Sequence, residues 1–316
     1  MENKIKIIAV VGSTASGKSA LAVALAKALG GEVVSCDSMQ IYRRMTIGTA
    51  KPTPEEQEGV THHLIDFIDP ENAFSCAEYV ECAKRAVEDI VSRGKLSVFC
   101  GGTGLYLDSF LRGGGFEETV TDPALREELF AYAEQHGNEA LHATLAEVDP
   151  ESAKAIHPNN VKRVVRALEI YRTTGMTKTE ADRRSKEIDS PYQATVIGLR
   201  YPERELLYER IDHRVDVMLE MGLLEETRAL LEEGVFEKNA TAAQAIGYKE
   251  LLGYLRGEDA LEAAVEALKR ATRRYAKRQI TWFGAKDYVH WIDMTENGAQ
   301  RPMQEVLEQA VKLANG

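Results

Sequence analysis

The sequence predicts an α/β fold: a parallel sheet with helices on both faces, interrupted by a helical insertion. Three observations carry this reading. The first third alternates apolar, strand-like runs with helix-forming runs. A glycine-rich loop joins the first such strand to the first helix. From about residue 113 the pattern turns helical, and strand character returns only near 194.

The elements follow in order. Ile5–Val11 is an apolar run and reads as a strand. It leads into Gly12-Ser13-Thr14-Ala15-Ser16-Gly17-Lys18-Ser19, which fits G-x-x-x-x-G-K-[ST], the P-loop pattern. The alanine- and leucine-rich run from Ala20 to Leu29 reads as a helix closed by Gly30-Gly31. Strand, loop and helix together give the motif its confirming context, so the core is a P-loop NTPase-like parallel sheet. Further strands are expected near 32–36, 63–68 and 96–100, and a second helix near 75–93. Ligands of such sheets bind at the carboxyl ends of the strands. Three of those ends are therefore expected to converge: the P-loop, Cys36-Asp37-Ser38-Met39-Gln40, and Cys100-Gly101-Gly102-Thr103-Gly104.

After Leu111, Arg112-Gly113-Gly114-Gly115 reads as a break. Residues 113–191 are expected to be a helical insertion, with Asp122 as an N-cap before Pro123 and His157–Asn160 as a joint. The core then comprises residues 1–112 and 192–316. In its second part, Ala194–Leu199 reads as a strand, 202–284 as helical, and Asp287–Asp293 as a late strand.

Composition limits the function. The chain has 316 residues, 44% hydrophobic and 28% charged, as soluble proteins do. No apolar run reaches the length of a membrane span, and with a strand expected from residue 5 no signal peptide is expected. The four cysteines, Cys36, Cys76, Cys82 and Cys100, form no C-x-x-C pair. A structural zinc site is not expected, and a reduced cytoplasmic protein is. A monomer is the default expectation. The net charge of −11 argues against nucleic acid as a partner. Its distribution argues the other way: Lys269 to Lys286 contains seven basic residues and no acidic one.

The chemistry follows from the residue types. The P-loop amides and the helix N-terminus form a nest for a diphosphate. Lys18 adds charge there, and the Ser19 hydroxyl suits Mg²⁺. Asp37 can bind Mg²⁺, act as a base, or merely cap its loop. Gly101–Gly104 permits close backbone approach and places one hydroxyl, or is simply a tight turn. In Val161–Leu168, residues 161, 164, 165 and 168 form an apolar face, with Lys162, Arg163 and Arg166 pointing elsewhere. Later, Arg270, Arg273, Arg274, Lys277 and Arg278 recur at three- and four-residue steps beside Tyr275, Gln279 and Trp282. Arginines beside aromatics suit phosphate binding and base stacking, though each helix could also be a solvated face. The pair His62-His63 lacks ligand-spaced partners and reads as structural.

These segments, with Gly48-Thr49-Ala50-Lys51-Pro52, Arg166-Ala167-Leu168-Glu169, Gln244–Glu250 and Thr272–Gln279, closely resemble the bacterial tRNA dimethylallyltransferases in order along nearly the whole chain. The resemblance implies transfer of a dimethylallyl group from dimethylallyl diphosphate to N6 of the adenosine just 3′ of the anticodon. The tRNAs concerned read codons beginning with U. It implies that Gly12–Ser19 hold the donor's diphosphate, with Mg²⁺ on Ser19 and Asp37 a second candidate ligand. Asp37 matches the general base, Thr103 a residue at the reacting centre, and Arg214 a diphosphate-binding arginine. Asp37, Ser38, Met39, Gln40 and Thr103 match tRNA contacts, as do Lys162, Arg163, Val164, Val165 and Arg166, and Arg126. Arg273, Arg274, Lys277 and Arg278 are assigned to RNA by their basic stripe. Ser13 stands where members usually carry proline and Ser19 where many carry threonine; neither removes a needed group. Two other enzymes share parts of the pattern: a P-loop small-molecule phosphotransferase, and an isopentenyltransferase acting on free adenine nucleotide.

Overall fold

The computed structural model describes residues 4–113, 122–187 and 189–316. Gly114 and Gly115 of the expected break lie outside them, as do the first three residues. Six strands form one parallel sheet: β1 (Ile5–Gly12), β2 (Gly31–Ser35), β3 (His62–His63), β4 (Leu96–Cys100), β5 (Tyr192–Arg200) and β6 (Val289–Asp293), in the order β3-β2-β4-β1-β5-β6. β1 lies inside the sheet, so both its faces are covered, which explains its unbroken apolar run.

Alternate residues of β1 serve two cores. Ile8 and Val10 pack with Leu21 and Leu25 of the helix Lys18–Leu29 and with Val306 and Ala310 of the helix Met303–Asn315. Ile7, Ala9 and Val11 pack on the other face with Tyr79, Val80 and Val87 of the helix Cys76–Ser92, and with Phe110 of the helix Gly104–Leu111. Each such aliphatic side chain taken out of water contributes about 1.5–3 kcal/mol. A third cluster joins Ile41, Tyr42 and Met45 to the helices Arg204–Glu220, Leu223–Glu232 and Leu261–Gly284.

Two expectations need correction. The strand expected over 63–68 stops after His63, because Leu64 and Asp66 have φ of 58° and 57°, a backbone that cannot continue a strand. The helix Met303–Asn315 was not anticipated. Its signal is the four-residue recurrence of Val306, Ala310 and Ala314, all buried on the sheet.

The chain divides into two compact units, one of residues before Arg112 and after Ser190, the other Arg112–Ser190. The second contains the helices Pro123–His136, Asn138–Val148, Pro150–Ala155, Val161–Thr174 and Lys178–Glu187. Asp122 caps the first of these by accepting from Leu125 N–H at 3.0 Å. Leu129, Leu141, Leu145, Val164, Val165 and Leu168 form this unit's core. Among the described residues, no helix is long and apolar enough to cross a membrane.

Glu32 on β2 is 2% exposed and is surrounded by cations. It accepts from Arg93 at 2.5 and 2.7 Å and from Lys95 at 2.7 Å, and it meets His63 Nε2 at 2.6 Å. The Arg93 hydrogen bonds, aided by Lys95 and His63, hold its carboxyl well below the usual glutamate range, against the cost of burial. A depressed carboxyl stabilises the fold above its ordinary value, and that stability is lost as pH falls toward the folded value. Glu32→Gln is expected to lower stability at neutral pH by about 2 kcal/mol. It is also expected to flatten the acid limb of thermal melts recorded from pH 7 to pH 3. An unchanged acid limb would show that the cluster contributes nothing to folding.

Candidate active site

The P-loop leaves the carboxyl end of β1 with backbone that its glycines make possible. Gly12 has φ 139°, and a Cβ there would stand 2.5 Å from the Leu199 carbonyl oxygen. Gly17, at φ 92°, is the N-cap of the helix Lys18–Leu29, and no side chain caps that end. The helix start is thus presented to a ligand. Inside the loop, the Ser16 hydroxyl is buried without a hydrogen-bond partner. Lys18 Nζ donates to the Ser13 carbonyl at 2.5 Å. Burial pulls the Lys18 ammonium down to about 8, and Arg214 adds to the fall. Burial likewise lowers Arg214, opposed by Glu56 and Asp37. Both cations line the clefts beside the helix start, a setting that suits an anionic ligand.

Two clefts meet at this point. The larger, about 650 Å³, lies between the P-loop, residues 46–54 and the helix Arg204–Glu220. Its wall is largely apolar, with Ile47, Ile65, Val217 and Met218. The smaller, about 280 Å³, is lined by Asp37, Ser38, Thr49, Tyr275 and Arg278. Lys18, Ser19 and Arg214 line both.

Asp37 stands just beyond β2. Its Oδ1 accepts from Met39 N–H at 2.8 Å and Gln40 N–H at 3.3 Å. The loop-capping role is therefore real, but both bonds use one oxygen, and the carboxylate still lines the smaller cleft. Thr103 bonds across to the same loop: its Oγ1 accepts from Ser38 N–H at 3.0 Å. Tyr275, whose phenol burial pushes well up, lines the same cleft. Gln40 is turned toward the next loop, donating to the Thr49 and Ala50 carbonyls at 3.2 and 3.0 Å. Met39 packs partly on the third core cluster.

Three side chains hold this arrangement that the sequence did not single out for the purpose. Gln279, 4% exposed, accepts from Thr14 N–H at 2.8 Å and donates to the Gly102 carbonyl at 3.1 Å, clamping the P-loop to the Gly101–Gly104 turn. A Cβ on Gly102 would stand 1.9 Å from Gln279 Nε2. The expected stacking face thus loses Gln279, which is interior. Glu226 accepts from the N–H groups of Thr46, Ile47 and Gly48 at 2.9–3.1 Å and from Tyr248 Oη at 2.7 Å, fixing the loop between the clefts. Arg210 Nε donates to the Ala15 carbonyl at 3.0 Å and lies over Tyr201.

The basic residues divide by surroundings. Lys162 and Arg163 are exposed. Val164 and Val165 are buried at 0% and 2% exposure, with their side chains in the helical unit's core. Arg166 and Arg126 share the fully buried Glu169 at 2.5 and 2.8 Å. On the long helix, Arg274, Lys277 and Arg278 are exposed. Arg273 instead turns inward, donating to Asp212 at 2.6 and 2.5 Å. That ion pair joins two helices, a partner that spacing along one helix cannot reveal.

Among the described residues, no group of three or more His, Cys, Asp or Glu could hold a metal by itself. The Ser19 hydroxyl, which lines both clefts, is a hard oxygen donor of the kind Mg²⁺ takes alongside phosphate oxygens and water.

The IPP transferase family model matches residues 40–286. A tRNA dimethylallyltransferase of Halalkalibacterium halodurans is 48% identical over 303 residues, covering 96% of each chain. One from Bacillus licheniformis is 51% identical over 296 residues, covering 93% of each. The crystal structure of a full-length tRNA isopentenylpyrophosphate transferase from Bacillus halodurans superposes with TM-score 0.72 at 44% identity, covering 99% of this chain and 97% of that one. A eukaryotic dimethylallyltransferase caught acting on tRNA gives TM-score 0.76 at 32% identity, over 92% of this chain and 74% of its own.

Proposed function

Since the chain belongs to the IPP transferase family, we propose that it moves a dimethylallyl group from dimethylallyl diphosphate to a tRNA, releasing diphosphate. The acceptor is N6 of the adenosine just 3′ of the anticodon, in tRNAs that read codons beginning with U. The observation that carries the reading is the smaller cleft, where a carboxylate, Asp37, faces the same space as the cations Lys18 and Arg214. A phosphotransferase could use the same groups; what separates the two readings is the family the chain belongs to.

The residues divide the work by charge. The donor's diphosphate lies on the amides of Gly12–Ser19, with Lys18 and Arg214 neutralising it. As the allylic C–O bond breaks, negative charge gathers on the departing oxygen, and these preorganised groups stabilise it. Adenine N6 is a weak nucleophile because its lone pair is delocalised into the ring. Asp37 takes the N6 proton as the new C–N bond forms, and Thr103 with Ser38 holds the loop that carries Asp37. The Ser19 hydroxyl would hold Mg²⁺, which when bound supplies further positive charge to the diphosphate. The base must leave the anticodon-loop stack to reach the cleft.

The competing enzymes are separated by offering an unmodified anticodon stem-loop and AMP in one tube with labelled donor and Mg²⁺. The label is expected on the RNA alone, with negligible ATP turnover in a parallel reaction. Label on AMP would favour a nucleotide-level transferase, and brisk ATP hydrolysis without RNA would favour a phosphotransferase. The exposed cations give a separate expectation. Arg274→Ala with Lys277→Ala is expected to weaken stem-loop binding and reduce the log–log salt slope by about 0.7 per lost phosphate contact. Unchanged affinity at low salt would remove the basic stripe from the RNA surface.

A further inference from the structure

The helix Leu261–Gly284 ends in an aromatic side chain that transfer chemistry leaves unused. Trp282 is 36% exposed, and Leu105 nearby is 50% exposed. The indole lies against Gly104: a Cβ built there would stand 2.2 Å from both Cδ1 and Nε1. Gly104 follows Thr103, whose hydroxyl is bonded to the backbone beside Asp37. The indole therefore stands at the rim of the turn that carries the reacting centre. Lys286 Nζ sits over the ring, 5.3 Å from its centroid, and is fixed there by the buried Asp108 at 2.6 Å. The chain as a whole carries −11, yet the segment ending here, Lys269–Lys286, has no acidic residue.

An adenosine drawn out of the loop stack leaves its neighbour with an uncovered face, and unstacked RNA bases are commonly received by aromatic side chains. We propose that Trp282, beside Leu105 and with Lys286 as its cationic flank, is a stacking platform for the RNA base adjacent to the target adenosine. The inference rests on the RNA-acceptor reading above and adds a subsite to it. Lys277 and Arg278, exposed about one turn earlier on the same helix, favour RNA over an apolar protein segment as the occupant.

The chain has two tryptophans, so Trp291→Phe leaves Trp282 as its single indole. Titration of that variant with an unmodified anticodon stem-loop is expected to quench the fluorescence. An abasic nucleotide at one neighbour of the target is expected to abolish the quench while binding persists. Trp282→Ala is expected to raise KM for the stem-loop on the order of ten-fold, with kcat largely kept; Trp282→Phe is expected to restore most of the loss at unchanged Tm. Full transfer to the stem-loop with no quench, or an unchanged KM in Trp282→Ala, overturns the platform and leaves the RNA reading standing. No transfer to the stem-loop by the unaltered enzyme overturns the RNA reading and the platform with it.

Discussion

Asp37→Asn is expected to cut the rate of transfer by about 10²–10⁴-fold, the size of effect that removal of a positioned base produces. Asparagine keeps a side-chain oxygen that can accept from Met39 and Gln40, so the loop geometry survives. What disappears is the capacity to take the N6 proton. Dimethylallyl diphosphate should still bind, because its contacts are to the P-loop, Lys18 and Arg214. A donor isotherm beside single-turnover kinetics separates the two effects. If binding and rate fall together, Asp37 serves mainly to hold Mg²⁺ or the loop. If neither falls, another group accepts the proton.

Lys18→Met is expected to fail in a different way. It removes a cation from the point where both clefts meet, so donor affinity and kcat both drop, the latter by about 10²–10³-fold. The same lysine predicts a pH effect. Its free-enzyme value is lowered to about 8 by burial. The ammonium is present below that pH and lost as pH rises through it. kcat/KM for the donor, which reports on the free enzyme, should therefore decline on the alkaline side of about 8. A profile flat to pH 9.5 would mean that Lys18 is not the group that meets the diphosphate.

The parts of this site legible in the sequence are those written locally. A P-loop needs its glycines and lysine at set spacing, and an apolar strand before it. Residues at the carboxyl ends of neighbouring strands must converge, which brought Asp37 and Thr103 to the P-loop. The parts that were not legible depend on long-range partners. Gln279 falls on the side of its helix that carries the buried apolar Ala276 and Phe283, but the Thr14 amide it accepts from lies 265 residues away and nothing in the helix points to it. Arg273 looks identical to Arg274 in sequence until Asp212 is packed opposite it. Glu226 acts on a loop nearly 180 residues earlier. β3 ends early because two residues adopt left-handed backbone in a stretch whose side chains favour a strand. Val164 and Val165 fall within a segment matched to RNA contact, yet the apolar spacing that places them on a buried face was already visible.

The most direct measurement is the intact mass of an unmodified anticodon stem-loop, carrying three consecutive adenosines, after incubation with the protein, Mg²⁺ and dimethylallyl diphosphate. The account predicts a gain of one dimethylallyl group on the adenosine 3′ of the anticodon, matched by one diphosphate released, and neither product with Asp37→Asn. An RNA of unchanged mass, with diphosphate released only when free AMP or no acceptor is present, would contradict it.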